Sequence, residues 1–303
     1  MRIGKFVNGL MAGVVGVMLA GGAMAQDMLG ELETVGKPHA QGYGFQPAAT
    51  ELASDIHWLH NFLMVIVTAI TLFVVALLIW VIIRYNKRAN PSPARFTHNT
   101  LIEVLWTIIP IFILIVIGAF SLPILFKQME IPESDITIKA TGHQWFWEYD
   151  YAESEINFTA VMLTREELAA AGYADDEYLL ATDNAVVVPV GAVVKILTTA
   201  PLEGVIHSWT VPAFGVKLDA VPGRLQETWF QADREGIYFG QCSELCGINH
   251  SYMPITVKVV SQDAYTAWVS SMGGVAPTPM ADATEVTGTD TTLAGTVELA
   301  AAE

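Results

Sequence analysis

The chain has 303 residues, 52% of them hydrophobic and only 15% charged, against about 25% charged in ordinary soluble proteins, which excludes disorder overall and points to a membrane component. Its 15 Lys and Arg against 31 Asp and Glu give a net charge of −16, which excludes nucleic acid as a partner, since that needs a basic face, and favours a basic one. Two cysteines are too few for a disulfide-dense scaffold.

Arg2 and Lys5, the apolar run Leu10 to Ala20 and the small-x-small sequence Ala23-Met24-Ala25 form a signal-peptide pattern, cleaved before Gln26. An N-terminal segment and two transmembrane helices are expected over 26–128. Phe62 to Ile83 holds 22 residues without a charge, roughly 33 Å of helix against a hydrocarbon core of ~30 Å. The second run, Leu101 to Phe126, contains Pro110, Pro123 and one charge, Glu103; prolines are tolerated in membrane helices where neighbours satisfy the freed carbonyls. The connector Arg84 to Thr100 carries Arg84, Lys87, Arg88 and Arg95 and no acid. The positive-inside rule expects it in the cytoplasm, with both ends of the hairpin outside. Glu103, near the cytoplasmic end, reads either as a carboxylate reaching back to the interface or as a proton-handling group.

The pattern changes over 129–272. Short β-rich runs follow one another: Asp135 to Thr141, Trp145 to Tyr151, Ala185 to Val190, Val193 to Thr199, Val205 to Val211, Leu225 to Ala232 and Ile255 to Val260. Strands of this length with turn residues between them predict a β-sandwich or barrel. Thr164 to Gly172 reads as helical, as does Gln262 to Ser271. Trp147 is expected to face the other side of its strand from Trp145. The stretch from Gly273 to Glu303 has no aromatic residue and is expected to be a disordered or processed tail.

The chemistry concentrates in Cys242-Ser-Glu-Leu-Cys246-Gly-Ile-Asn-His250-Ser-Tyr-Met253. Two thiols, an imidazole and a thioether in twelve residues suit copper, and His207 is a candidate for a second imidazole. Alternatives stay open on residues alone. The cysteines could form a disulfide in an exported chain. Zinc could take Cys242, Cys246, His250 and His207. A mononuclear blue-copper site would leave one cysteine surplus. A dinuclear copper site, with both thiolates bridging, uses all of them.

The sequence resembles subunit II of bacterial haem-copper cytochrome c oxidase over nearly the whole mature chain. Gly142-His-Gln-Trp-Phe-Trp-Glu-Tyr, His207-Ser-Trp-Thr-Val-Pro212, Lys217-Leu-Asp-Ala-Val-Pro-Gly-Arg224 and Gly240-Gln-Cys-Ser-Glu-Leu-Cys-Gly247 carry the resemblance. It implies a two-helix anchor bearing an all-β, cupredoxin-like Greek-key barrel with a dinuclear copper centre, CuA. The implied ligands are His207, Cys242, Glu244 through its backbone carbonyl, Cys246, His250 and Met253. The Glu244 carboxylate would hold a magnesium or manganese ion shared with subunit I. Asp219 and Arg224 would lie near that ion without a ligand role. Trp145 would accept electrons from cytochrome c, and Glu103 would stand near the entrance of a proton pathway. Haem would be confined to subunit I, where dioxygen is reduced and protons are translocated. The chain would sit in the bacterial inner membrane, in contact with lipid and other oxidase subunits, its N-terminus and copper domain periplasmic.

Between Met129 and Met272 there are 20 acids and 7 bases, a balance of −13, which would steer a basic cytochrome c. Glu148, Asp150 and Glu203 are the candidate docking acids. There is no Cys-x-x-Cys-His motif after the copper domain, so no fused cytochrome c is expected. Related quinol oxidases lack the ligand set, which argues against quinol as the donor. Arg165 to Asp183 is an acidic insertion without legible chemistry.

Overall fold

The computed structural model describes Leu29 and residues 31–275; the signal-peptide pattern and most of the expected tail lie outside the described residues. Two long helices lead into a β domain. Helix α1, Glu51–Arg84, takes in the first apolar run but starts well before it, because Thr50 caps it: the Thr50 hydroxyl accepts from the Ala53 amide at 2.9 Å. The early turns are not membrane-facing. Leu52 and Ala53 are buried, and the Thr50 hydroxyl donates to the Phe214 carbonyl of the β domain at 2.9 Å. Helix α2, Thr100–Met129, is capped by Asn99 and runs through both Pro110 and Pro123.

At the end near the β domain the two helices are clamped. Lys127 reaches both Glu51 and Asp55 at 2.7 Å, and Trp58, Phe62 and Phe120 pack with centroids 5.3–5.6 Å apart. Along the rest of their length the apolar side chains point outward uncovered: Leu72, Phe73, Ile82, Phe112 and Leu114 are all more than 60% exposed. Length and apolar surface together make these helices membrane anchors.

The β domain is built from β1 (Thr34–Gly36), β2 (Ile136–His143), β3 (Phe146–Tyr151), β4 (Ile156–Ala160), β5 (Val186–Pro189), β6 (Val193–Thr199), β7 (His207–Val211), β8 (Val216–Ala220), β9 (Gln226–Gln231), β10 (Gly236–Gln241) and β11 (Pro254–Val260), with helix α3 (Gln262–Ser271) after them. One sheet has the order β4-β3-β2-β6-β9, a second β1-β10-β11-β5, and β7 pairs with β8. β2 runs parallel to β6 and β11 parallel to β5, while their other neighbours are antiparallel. These crossovers make the cupredoxin-like arrangement rather than a simple meander. Strict alternation builds the inner faces. In β2 Ile136, Ile138 and Ala140 are buried, and in β3 Trp147, Tyr149 and Tyr151. Each large apolar side chain so buried contributes about 1.5–3 kcal/mol, and Trp209, Phe214, Phe230, Tyr238 and Trp268 complete the core.

The structure corrects three expectations. Thr164 to Gly172 is not a helix but a run of turns. The Ala171 amide reaches the Glu167 carbonyl, then Gly172 turns left-handed at φ +81° and the Tyr173 amide returns to the Leu168 carbonyl. Burial of Leu168 and Tyr173 against Ile237 and Phe239, in a small second core, outweighs local helix preference. Four strands went unread: β1, β4, β8 and β10. The third correction concerns Trp145 and Trp147. Side chains two apart on one strand share a face, so alternation cannot separate them. Trp147 is fully buried and Trp145 half-buried because Trp145 lies in the turn between β2 and β3, before the strand begins.

Candidate metal centre

Three strand ends meet at one pole of the β domain. His207 opens β7, Cys242 follows β10, and Met253 immediately precedes β11. Since β10 and β11 are antiparallel, with Gln241 opposite Pro254, the chain between them closes as one loop that starts at Cys242 and ends at Met253. The Ser243 amide ties that loop to β7 through the Ser208 carbonyl at 3.1 Å. His250 stands in a short 3-10 turn, His250–Tyr252, closed by the His250 amide on the Gly247 carbonyl.

The soft donors converge. The two sulfurs are 3.8 Å apart and both thiols are free, far beyond the roughly 2.05 Å of a disulfide. Each sulfur has its own partners. Cys242 Sγ lies 3.8 Å from His207 Nδ1 and 3.4 Å from the Glu244 carbonyl oxygen. Cys246 Sγ lies 3.5 Å from His250 Nδ1 and 3.5 Å from Met253 Sδ. The donor atoms of His207, Cys242 and Cys246 are all within 4.8 Å of one another. The result is two overlapping donor sets that share the pair of sulfurs, rather than four donors around one point as tetrahedral zinc would require. Thiolate, imidazole and thioether together fit copper.

Burial tunes these groups. Desolvation, helped by His143 and His250, holds the His207 imidazole down at about 4, so the ring is neutral and has a lone pair to offer. Desolvation and the neighbouring Cys242 push the Cys246 thiol up to about 12. Metal binding must therefore displace that proton.

Three glycines make the convergence possible. A Cβ on Gly142 would stand 2.8 Å from His207 Cγ, and one on Gly240 only 1.9 Å from the Thr210 carbonyl oxygen. Gly247, at φ +123°, would put a Cβ 3.0 Å from the Trp145 ring. All three stand in the motifs quoted above, but their role depends on neighbours remote in sequence. Trp147, whose indole N–H donates to the Met253 carbonyl at 3.3 Å, was missed for the same reason.

Trp145 is seated directly on the loop. Its Nε1 donates to the Cys246 carbonyl at 3.2 Å, and Gln144 Nε2 donates to the same oxygen at 3.1 Å. The docking candidates differ in their freedom. Glu148 accepts from Asn157 at 3.0 Å and pairs with His143 at 2.9 Å. The Asn157 hydrogen bond, more than the histidine, holds its carboxyl below the usual glutamate range. Asp150 pairs with Lys139 at 3.0 Å across β2 and β3. Glu203 is exposed in the turn Pro201–Gly204 and makes no ion pair among the described residues. The Glu244 carboxylate is exposed, and Asp219 pairs with Lys217. Glu103 lies far from all of these, in the first turn of α2, where it accepts from the Asn99 amide at 3.3 Å.

Known proteins share the chain's sequence over both the hairpin and the β domain. Residues 136–260 match the family model of the cytochrome c oxidase subunit II periplasmic domain, and residues 38–124 that of its transmembrane domain. Cytochrome c oxidase subunit 2 of Cereibacter sphaeroides is 52% identical over 288 residues, covering 90% of this chain and 94% of that protein. A probable cytochrome c oxidase subunit 2 of Rickettsia bellii is 49% identical over 234 residues, 77% of this chain and 85% of that one. The solved periplasmic domain of cytochrome oxidase subunit II from Bradyrhizobium japonicum is 44% identical, with a TM-score of 0.42, and covers 48% of this chain and 97% of that one. The chain belongs to the cytochrome c oxidase subunit II family: it is a membrane-anchored subunit of an oxidoreductase, with a His/Cys/Cys cluster fit for copper.

Proposed function

We propose that this chain is the electron-accepting subunit of its oxidase, taking single electrons from a basic cytochrome c beside Trp145 and delivering them to haem in subunit I, for dioxygen reduction coupled to proton translocation. The observation that carries this reading is the pair of sulfurs 3.8 Å apart, each with its own histidine, joined to a half-exposed indole through the Cys246 carbonyl. His207, Cys242, the Glu244 carbonyl, Cys246, His250 and Met253 would hold a dinuclear copper centre. When bound, copper supplies a one-electron couple shared over two metals, so that little geometry changes on reduction.

The residues around the loop do the rest. Burial of both thiols and of His207 excludes water and keeps the donors in one arrangement. Trp145 and Gln144 fix the accepting surface to the loop backbone. The acidic balance of the domain steers the donor, and Glu203, Glu148 and Asp150 are its docking acids, of which Glu203 offers the least compensated charge. The exposed Glu244 carboxylate would take magnesium or manganese only together with donors from subunit I. Glu103, at the cytoplasmic start of α2, stands at a proton-pathway entrance. This reading puts the β domain in the periplasm, the Arg84 to Thr100 connector in the cytoplasm and lipid around the hairpin, after signal cleavage before Gln26.

The test is Cys242→Ser in the purified oxidase. The expected outcome is loss of copper from this subunit, loss of its paramagnetic signal and loss of cytochrome c oxidation, with haem content unchanged. Normal copper and normal cytochrome c oxidation in that variant would sink the reading.

A further inference from the structure

Trp147 is fully buried near the start of β3, opposite Gly142 on β2 and Ala160 on β4. It touches two elements of the metal pole at once. Its indole N–H donates to the Met253 carbonyl at 3.3 Å, in a place sealed from water. Its ring meets the His207 ring in a tilted edge contact, centroids 6.0 Å apart at 64°. The other wall of the His207 pocket is Gly142, where a Cβ would reach 2.8 Å from the imidazole. The side chain that faces His207 and the absent side chain that admits it are thus a cross-strand pair. Met253, 46 residues after His207, hangs from the same indole by its backbone.

We propose that Trp147 is a positioning residue of the metal centre, fixing Met253 relative to His207 through one rigid side chain. The inference rests on the functional reading above and deepens it. Trp145 faces the electron donor; Trp147, two residues on, holds the far side of the same loop. Partners that orient metal-binding side chains typically carry about 10–100-fold in affinity or activity. A hydrogen bond to a backbone carbonyl next to a thioether acts on where the sulfur sits, and the imidazole contact is made by the ring rather than the N–H. The two contacts are therefore separable: removing only the N–H frees Met253 and leaves the His207 wall standing.

The experiment uses the whole oxidase with Trp147→Phe, and in parallel with the isosteric benzothienyl analogue of tryptophan at 147, which replaces N–H by sulfur and keeps the ring volume. Copper content, electron paramagnetic resonance hyperfine pattern, reduction potential, kcat and KM for cytochrome c are measured. The expected result is retained copper, a shifted potential, an altered hyperfine pattern and a several-fold fall in kcat with KM unchanged, since the docking surface is untouched. A wild-type potential and spectrum in both variants would overturn the proposal, whatever happens to the melting temperature. Should the wild-type subunit hold no copper, the functional reading fails instead. The positioning claim is then decided by hydrogen exchange in the metal-free protein: the benzothienyl analogue at 147, which keeps the ring against His207, must loosen the backbone at 250–255 and spare that around His207, and unchanged protection overturns it.

Discussion

The helical hairpin and the β domain solve opposite problems. In the hairpin, large apolar side chains such as Leu72, Phe73, Phe112 and Leu114 face outward, and the two helices hold each other mainly through the Lys127 clamp and one aromatic cluster. In the β domain the large side chains are inside, and even the candidate donors Cys242, Cys246, His207 and Met253 are at most 5% exposed. The hairpin depends on what surrounds it, and the domain supplies its own interior. Substitutions should therefore be local and severe in the domain and mild in the hairpin.

Gly240→Ala is the hardest break. Its Cβ would lie 1.9 Å from a backbone carbonyl, which cannot swing aside. The expected destabilisation exceeds the usual overpacking cost of about 1–3 kcal/mol, read as loss of the β-domain unfolding transition while far-ultraviolet helix signal persists. Gly142→Ala comes next. It crowds the His207 ring, so the domain should fold but load markedly less copper, measured as metal stoichiometry after reconstitution. At the joint between the regions, Thr50→Ala removes both a helix cap and a bond to the Phe214 carbonyl. A loss of about 1–2 kcal/mol in thermal stability is expected, and no change would mean that the joint is held elsewhere.

The smallest effect is a titration. The Glu148 carboxyl is held low, chiefly by Asn157. A depressed carboxylate contributes stability above its unfolded value and loses it as pH falls through the folded one. Asn157→Ala should raise the Glu148 value, seen by nuclear magnetic resonance of the side chain, and shift that loss to higher pH. Because the group is about a third exposed, the stability change should be slight.

What could be read from sequence divides along the same line. The apolar runs of the hairpin needed only length, and β2, β3 and β6 were legible as short β-rich runs between turn residues. β10 was passed over because Gly236 and Gly240 break its strand signal, yet Gly240 is there so that β10 can approach Thr210. β8 was masked by its polar Lys217 and Asp219. Thr164 to Gly172 obeyed its tertiary contacts instead of its alanines. At the metal pole, the spacing of Cys242, Cys246, His250 and Met253 was legible because one loop carries them all. Trp147 and Gly142 were not, since their meaning appears only when β2 and β3 are paired in register.

Helix α1 does not stop at the membrane. Its 34 residues make a rod of ~51 Å, and the surplus over a ~30 Å core is welded to the β domain by the Thr50 bond to Phe214 and the Ala49 amide on the Ala213 carbonyl. The joint contains no slack chain. A bilayer that grows thinner and tips the rod must tip the cysteine-bearing pole of the β domain with it, so lipid thickness becomes a setting for the angle at which that pole is presented.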